Sequence, residues 1–208
     1  MAGGPFGQLR GALSLDNDAL EEIADSKAAL PVAILIVIGA TLLAGLGVMW
    51  WLRMGGHPPA RATYTRDTAG IFTRTVLVGG AIQVGMWVAW VAVTWVYLWA
   101  FGDQVSPWRL ARTMGYAFAP IGLQLFIAPR GVELAAGALA MGYTIATTTA
   151  AVRVAARTTP GRALIANLAG FALFAIMLSL LGSGTRDLAP GIFALDPLPI
   201  SVQYDARQ

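Results

Sequence analysis

From Leu30 to Leu52 no residue carries a charge, an apolar run of over about 20 residues, the length a helix needs to cross the hydrocarbon of a bilayer. Such a run restricts the fold severely. Lipid offers backbone N–H and C=O groups no partner, so the segment has to satisfy them internally, as a helix does. Trp50, Trp51 and Arg53 close the run with the side chains that favour a head-group interface, and Ala40 and Ala44 leave room for another helix to approach.

The rest of the chain has the same character. Of its 208 residues 57% are hydrophobic and 12% charged, with a mean hydropathy of +0.65; soluble domains carry roughly 25% charged residues. This is the composition of an integral membrane protein. Cysteine is absent and His57 is the single histidine, which removes disulfides, thiolate metal sites, iron–sulfur clusters and bis-histidine haem. The formal charge of +3 comes from Arg and one Lys set beside the apolar runs, where they anchor helices at lipid head groups and carry no nucleic-acid implication. The first apolar run follows an acidic stretch rather than a basic one, so no cleaved signal peptide is expected.

Taken in order, residues 1–29 form an amphipathic N-terminal segment. Phe6, Leu9 and Leu13 recur at helical spacing, then Leu20, Ile23 and Ala24, predicting two short helices. Asp18 with Glu21 three residues on predicts the cap of the second, and Asp16, Asp18, Glu21, Glu22 and Asp25 read as a solvated helix start, with a docking surface for a basic partner as the alternative. Residues 54–70, rich in Gly, Pro and charge, read as a loop, and His57 within it as a solvated side chain. Asp67 or Thr68 could cap the next helix, whose apolar part runs from Val76 to Phe101. A straight helix from Thr68 would be about 50 Å long, so a bend near Gly79-Gly80 or an interfacial first section is expected. Trp87, Trp95 and Trp99 make a stripe read as lipid-facing packing and interfacial anchoring, with pigment or quinone contact as the alternative.

Met114 to Gly131 is a charge-free run of roughly 25 Å if helical, with Pro120 in its middle and Pro129 at its end. It reads as a central helix. Pro120 cannot donate to the carbonyl four residues earlier, that of Tyr116, so the helix must bend or a neighbour must serve that group; Gln124, one turn on, could reach another helix. Arg112 would anchor the run at the interface. Further on, Ala138, Gly142, Ala146 and Ala150 place a small residue at every fourth position, predicting close approach to a neighbour. Thr159-Pro160 predicts an N-cap with proline at the first helical position, opening a fifth helix to about Leu181. The division is an N-terminal segment (1–29), a five-helix transmembrane domain (30–182) and a proline-containing tail (183–208) that lies on a surface or a partner. The fold class expected is all-α, a polytopic bundle of five transmembrane helices.

The order of parts resembles bacterial members of the Yip1-domain family over about residues 8–182. It rests on the acidic lead LDNDALEEIADSKAAL, the Gly115-Tyr116-Ala117-Phe118-Ala119-Pro120 element with a second proline, Pro129, after it, and the Ala151-Val152-Arg153 motif ending the penultimate helix. The proline-containing tail departs from that pattern. The resemblance implies five transmembrane helices in a bacterial inner membrane, with a cytoplasmic N-terminus and an exterior C-terminus. Arg and Lys divide almost evenly between the two sides, so orientation follows the resemblance.

No nucleophile with a base, carboxylate pair or metal constellation is visible, and Gln83, Gln124 and Asn167 are the polar side chains inside the runs, with no ionisable group at mid-depth. The function expected is a non-catalytic scaffold or accessory subunit without a cofactor. Its partners would be the lipid bilayer and other integral membrane proteins, a bioenergetic or photosynthetic complex being the named candidates, with homo-oligomerisation left open. The alternative is a small-solute transporter or channel component, since Pro120 and the Gly pairs could break helices of the sort that line sites.

Overall fold

The computed structural model describes residues 4–55, 68–129, 131–184 and 191–194. Among the described residues the chain is helical and no strand occurs. Two short helices, α1 (Gly4–Leu13) and α2 (Asn17–Asp25), precede the first apolar helix, α3 (Ala29–Arg53). The α2 cap is Asp16, whose Oδ1 accepts the Asp18 N–H at 3.0 Å, so the cap sits two residues ahead of the one expected at Asp18. His57, Asp67 and most of the 54–70 loop lie outside the described residues.

The second apolar helix is not regular throughout. It begins as α4 (Thr68–Phe72), passes through a π-helical stretch (Thr73–Val78) and resumes as α5 (Gly79–Ala100). The irregularity expected near Gly79-Gly80 therefore falls just before it, as a widened turn. The central run divides likewise. α6 (Pro107–Ala117) starts with proline at its first turn and stops three residues before Pro120; Ala119–Ile127 continues as a 3-10 helix. Then come α7 (Glu133–Ala156), which stops at Arg157 in the left-handed region (φ 51°), and α8 (Pro160–Gly184), opened by Pro160 behind Thr159.

Among the described residues four helical stretches are long and apolar enough to cross a membrane: Ala29–Arg53, Ala69–Ala100, Glu133–Ala156 and Pro160–Leu180. Close approaches fix their directions. An added Cβ at Gly115 would lie 2.7 Å from that of Ala33, and one at Gly47 would lie 2.2 Å from the Gln124 carbonyl oxygen, so α3 runs parallel to the α6–3-10 segment. Gly45 faces Val76, and Gly80 faces Thr41, which makes α5 antiparallel to α3. The main core joins Val37, Ala40, Trp87, Trp90, Leu98, Met114, Phe118, Ile121, Met141, Val152, Phe174 and Leu178, from these four helices and the α6–3-10 segment.

Both terminal segments dock on the chain itself. Leu9, Ala12, Leu20 and Ile23 of the N-terminal hairpin cover Ala29, Ala33, Tyr116, Ala151 and Val154. Polar contacts pin it there: Arg109 pairs with Asp25, Arg153 Nη2 donates to Asn17 Oδ1 (2.6 Å), and Tyr143 Oη donates to the Leu13 carbonyl (2.6 Å). Asp16, Asp18, Glu21, Glu22 and Asp25 all stay exposed, and Asp25 alone of them forms an ion pair among the described residues. At the other end, a 3-10 turn (Gly191–Ala194) enters the bundle between α3, α7, α8 and the central 3-10 helix. That part of the tail is internal; the rest lies outside the described residues.

Candidate functional site

Interior polar groups gather at two partnered sites, one where α5, α7 and α8 meet and one at the break in the central run. The first is built on Asn167 of α8. Its Nδ2 donates to Thr148 Oγ1 and Thr149 Oγ1, both at 2.9 Å, and to the Ile145 carbonyl at 3.2 Å, while its Oδ1 accepts the Trp90 indole N–H at 3.0 Å. One amide thus ties three helices. Trp90 is fully buried, with Phe171 and Phe174 at ring-centroid distances of 5.3 and 5.2 Å and Phe118 edge-on at 6.2 Å. Gly170 makes the fit possible, since a Cβ there would meet Trp90 Cδ1 at 2.3 Å and the Trp90 carbonyl oxygen at 2.6 Å. Asn167 stood out as an intramembrane polar residue, but Trp90 and the threonines did not. Their signal was present: Thr144, Thr147 and Thr148 stand three and four residues apart on one face of α7.

The second site surrounds the break in the central run. Pro120 is buried, and α6 ends rather than bends: Phe118 N–H turns back to the Gly115 carbonyl (3.4 Å) and Ile121 N–H to that of Phe118 (3.1 Å). The carbonyl served by a neighbour is therefore that of Ala117, which accepts Thr147 Oγ1–H at 2.7 Å, and not that of Tyr116. The displacement has a simple cause, because a tighter turn moves the hydrogen-bonding register by one residue. Tyr116 is buried and its hydroxyl meets Gln8 Oε1 at 3.1 Å, locking α1 to the break. Gln124 is buried too, but its partner is the tail. Its Oε1 accepts the Ile192 N–H at 3.0 Å, its Nε2 has no partner among the described residues, and Gly191 (φ 68°) lies so close that an added Cβ would overlap Oε1 at 1.3 Å.

Ahead of the apolar run, Arg112 is 8% exposed and its Nε donates to the Trp108 carbonyl (3.1 Å), so it is packed rather than spread on an interface. Pro129 is exposed beside Gly131 (φ 85°), at the turn into α7.

The tryptophan stripe does not face one environment. Trp87 is buried in the core, Trp95 is half-buried with its indole N–H on the Val105 carbonyl (3.0 Å), and Trp99 is 69% exposed. Lipid-facing anchoring thus describes Trp99 alone, because a four-residue step drifts around a helix of 3.6 residues per turn. The small-residue row is displaced in a similar way. Ala138, Gly142 and Ala146 are exposed and Ala150 is half-buried, and nothing lies within 4 Å of a Cβ at Gly142. Within the chain α7 packs through the adjoining face, Gly137, Ala140, Met141, Thr144, Thr148 and Ala151. Among the described residues no group of three or more His, Cys, Asp or Glu could hold a metal ion.

Comparison with protein-family models, with curated proteins and with solved structures found no match to this chain.

Proposed function

We propose that this protein is a non-catalytic membrane scaffold or accessory subunit, packing through α7 against another membrane protein. The observation that carries the reading is the division of α7 into two faces. Its hydroxyl-bearing face is engaged inside the chain, while Ala138, Gly142 and Ala146 form a slim outward row beside the exposed Leu134 and Leu139. In lipid, small residues let two backbones approach closely enough for dispersion to hold them. The interior polar groups support the same reading, since Asn167, Trp90 and Thr147 are spent on internal bonds rather than left facing a common path.

In this reading the α6–3-10 segment is a fifth crossing and the chain is a Yip1-like five-helix protein of a bacterial inner membrane, with a cytoplasmic N-terminus. The direction of the segments supports the count, because the central segment runs parallel to α3 between the α5 and α7 chain reversals. The alternative, a small-solute transporter, rests on the break at Pro120.

Gentle detergent extraction followed by native mass and composition tests the proposal. Co-purification with a larger membrane assembly is the expected result. Specific solute uptake by vesicles holding this protein alone, abolished by Pro120→Ala without a change of oligomeric state, would establish the transporter instead. Cysteines placed at Gly4 and Ser201 read topology against a cysteine-free background; labelling of both from one side refutes the five-crossing arrangement.

A further inference from the structure

The α3–α5 seam holds a second set of buried polar groups, and these have no partner. Among the described residues neither hydroxyl of Thr41 and Thr75, neither end of the Gln83 amide, nor the Trp87 indole N–H makes a hydrogen bond. All four residues are buried, Thr75 and Gln83 completely. They share one seam. Gly80, Gln83 and Trp87 follow at steps of three and four along α5, a Cβ at Gly80 would lie 3.4 Å from the Thr41 methyl group, and Gly45, one turn beyond Thr41, faces the Thr75 carbonyl. The π-helical stretch that carries Thr75 is an irregularity that recurs at functional sites. Unpaired polar atoms in hydrocarbon are costly, so a row of them calls for a partner.

The chemistry of that partner follows from a count of donors. The Trp87 indole supplies one obligatory donor and the Gln83 amide two, while the Gln83 carbonyl is the one obligatory acceptor; the threonine hydroxyls can turn either way. Even if a threonine serves that carbonyl, donors remain in excess, so the ligand must bring acceptor oxygens. It must also be neutral, because no charged residue lies between Arg74 and Asp103 to balance an anion. Along α5 itself α3 packs more lightly than α8 does, and Gly79 and Gly80 keep that end of α5 slim, so this is the stretch of the seam that can part.

We propose that the α3–α5 seam is a binding site for the carbonyl headgroup of a neutral amphiphile dissolved in the membrane, whether a quinone or the glycerol ester of a phospholipid. Trp87 N–H and the Gln83 amide donate to the carbonyl oxygen, and Thr41 orients the amide. The proposal goes beyond the scaffold role and stands or falls apart from it.

The test uses the full-length protein in vesicles of ether-linked phosphatidylcholine, which lack ester carbonyls. A photoreactive azidoquinone is cross-linked and mapped, with decylubiquinone as competitor, for the wild type and Gln83→Leu. Saturable labelling within residues 37–45 and 73–90, with apparent affinity reduced about tenfold in Gln83→Leu, supports the quinone source. If quinone does not label the seam, native mass spectrometry from ester-lipid membranes decides: one phospholipid retained by the wild type and lost from Gln83→Leu supports the lipid source. Labelling outside the seam, or equal behaviour of both proteins in both assays, overturns the proposal, including the case in which water alone enters. Thermal stability of Gln83→Leu at or above that of the wild type shows that the variant is folded.

Discussion

Two neutral amides sit deep in apolar helices of this protein, Asn167 in α8 and Gln83 in α5, and their surroundings are opposite. Asn167 donates to three oxygens on α7 and accepts from Trp90, while Gln83 has a partner at neither end among the described residues. Both are completely buried. The difference lies in what the facing helix offers. α7 presents two hydroxyls, those of Thr148 and Thr149, and the Ile145 carbonyl to Asn167, whereas the single hydroxyl of Thr41 on α3 has no partner of its own among the described residues. A polar side chain in a membrane bundle therefore means one thing when its neighbours complete it and another when they do not: the first is a rivet, the second is open to a ligand.

The contrast can be broken most violently at Gly170. Gly170→Ala drives a methyl group into the Trp90 carbonyl oxygen, an atom that no rotamer change can move, and about 3 kcal/mol or more of stability should be lost. Detergent-solubilised yield and thermal unfolding read this out, and a variant with unchanged Tm would show that α5 and α8 do not meet there.

Asn167→Leu comes next. It removes the amide's bonds to Thr148, Thr149 and Ile145 and leaves the Trp90 indole N–H only the backbone carbonyl of residue 167 (3.1 Å), and the expected loss is about 1–2 kcal/mol, near the upper end for polar contacts in lipid. Unfolding in increasing SDS should shift to lower detergent fraction. Stability equal to the wild type would mean that the network is ornament rather than fixation.

Gln83→Leu sharpens the same comparison, because its sign is reversed. Replacing an unpaired amide by an apolar side chain of similar size should leave stability in detergent unchanged or raise it by up to about 1 kcal/mol. A loss as large as that of Asn167→Leu would show that Gln83 has a partner after all. The smallest intrinsic effect belongs to Gly142→Leu, which meets nothing within 4 Å in the monomer. Its Tm as a monomer should not move, while co-purification of a partner should fall much more than with Leu139→Ala.

The apolar runs were legible to within a residue or two, as with Leu30–Leu52 against α3 at Ala29–Arg53, and the Thr159-Pro160 start of α8 was legible from capping chemistry alone. Helix length and end chemistry are local properties. The direction a helix face points is not. The Trp87, Trp95 and Trp99 stripe and the Ala138, Gly142 and Ala146 row are both regular in sequence, yet the bundle turned the first partly inward and the second outward.

What the sequence determined by itself is that the chain is built of helices, several of them long and apolar enough to cross a membrane, because long uncharged runs in lipid leave the backbone no other way to satisfy its polar groups. It also showed that the helical hydrogen bonding of the central run would be disturbed near Pro120, since proline lacks the N–H that a regular helix requires, although it pointed to a bend where the structure has an end. The tertiary structure decided the rest: that Thr147 serves the Ala117 carbonyl, that Gly191 and Ile192 close on Gln124, and that Gln83 is left unpaired. Each of these joins residues far apart in the chain, and apolar helices of near-uniform hydrophobicity carry no periodic signal of which face meets which neighbour. Only close approach at glycine, packing of rings and the matching of donors to acceptors select among the rotations that hydrophobicity leaves equal.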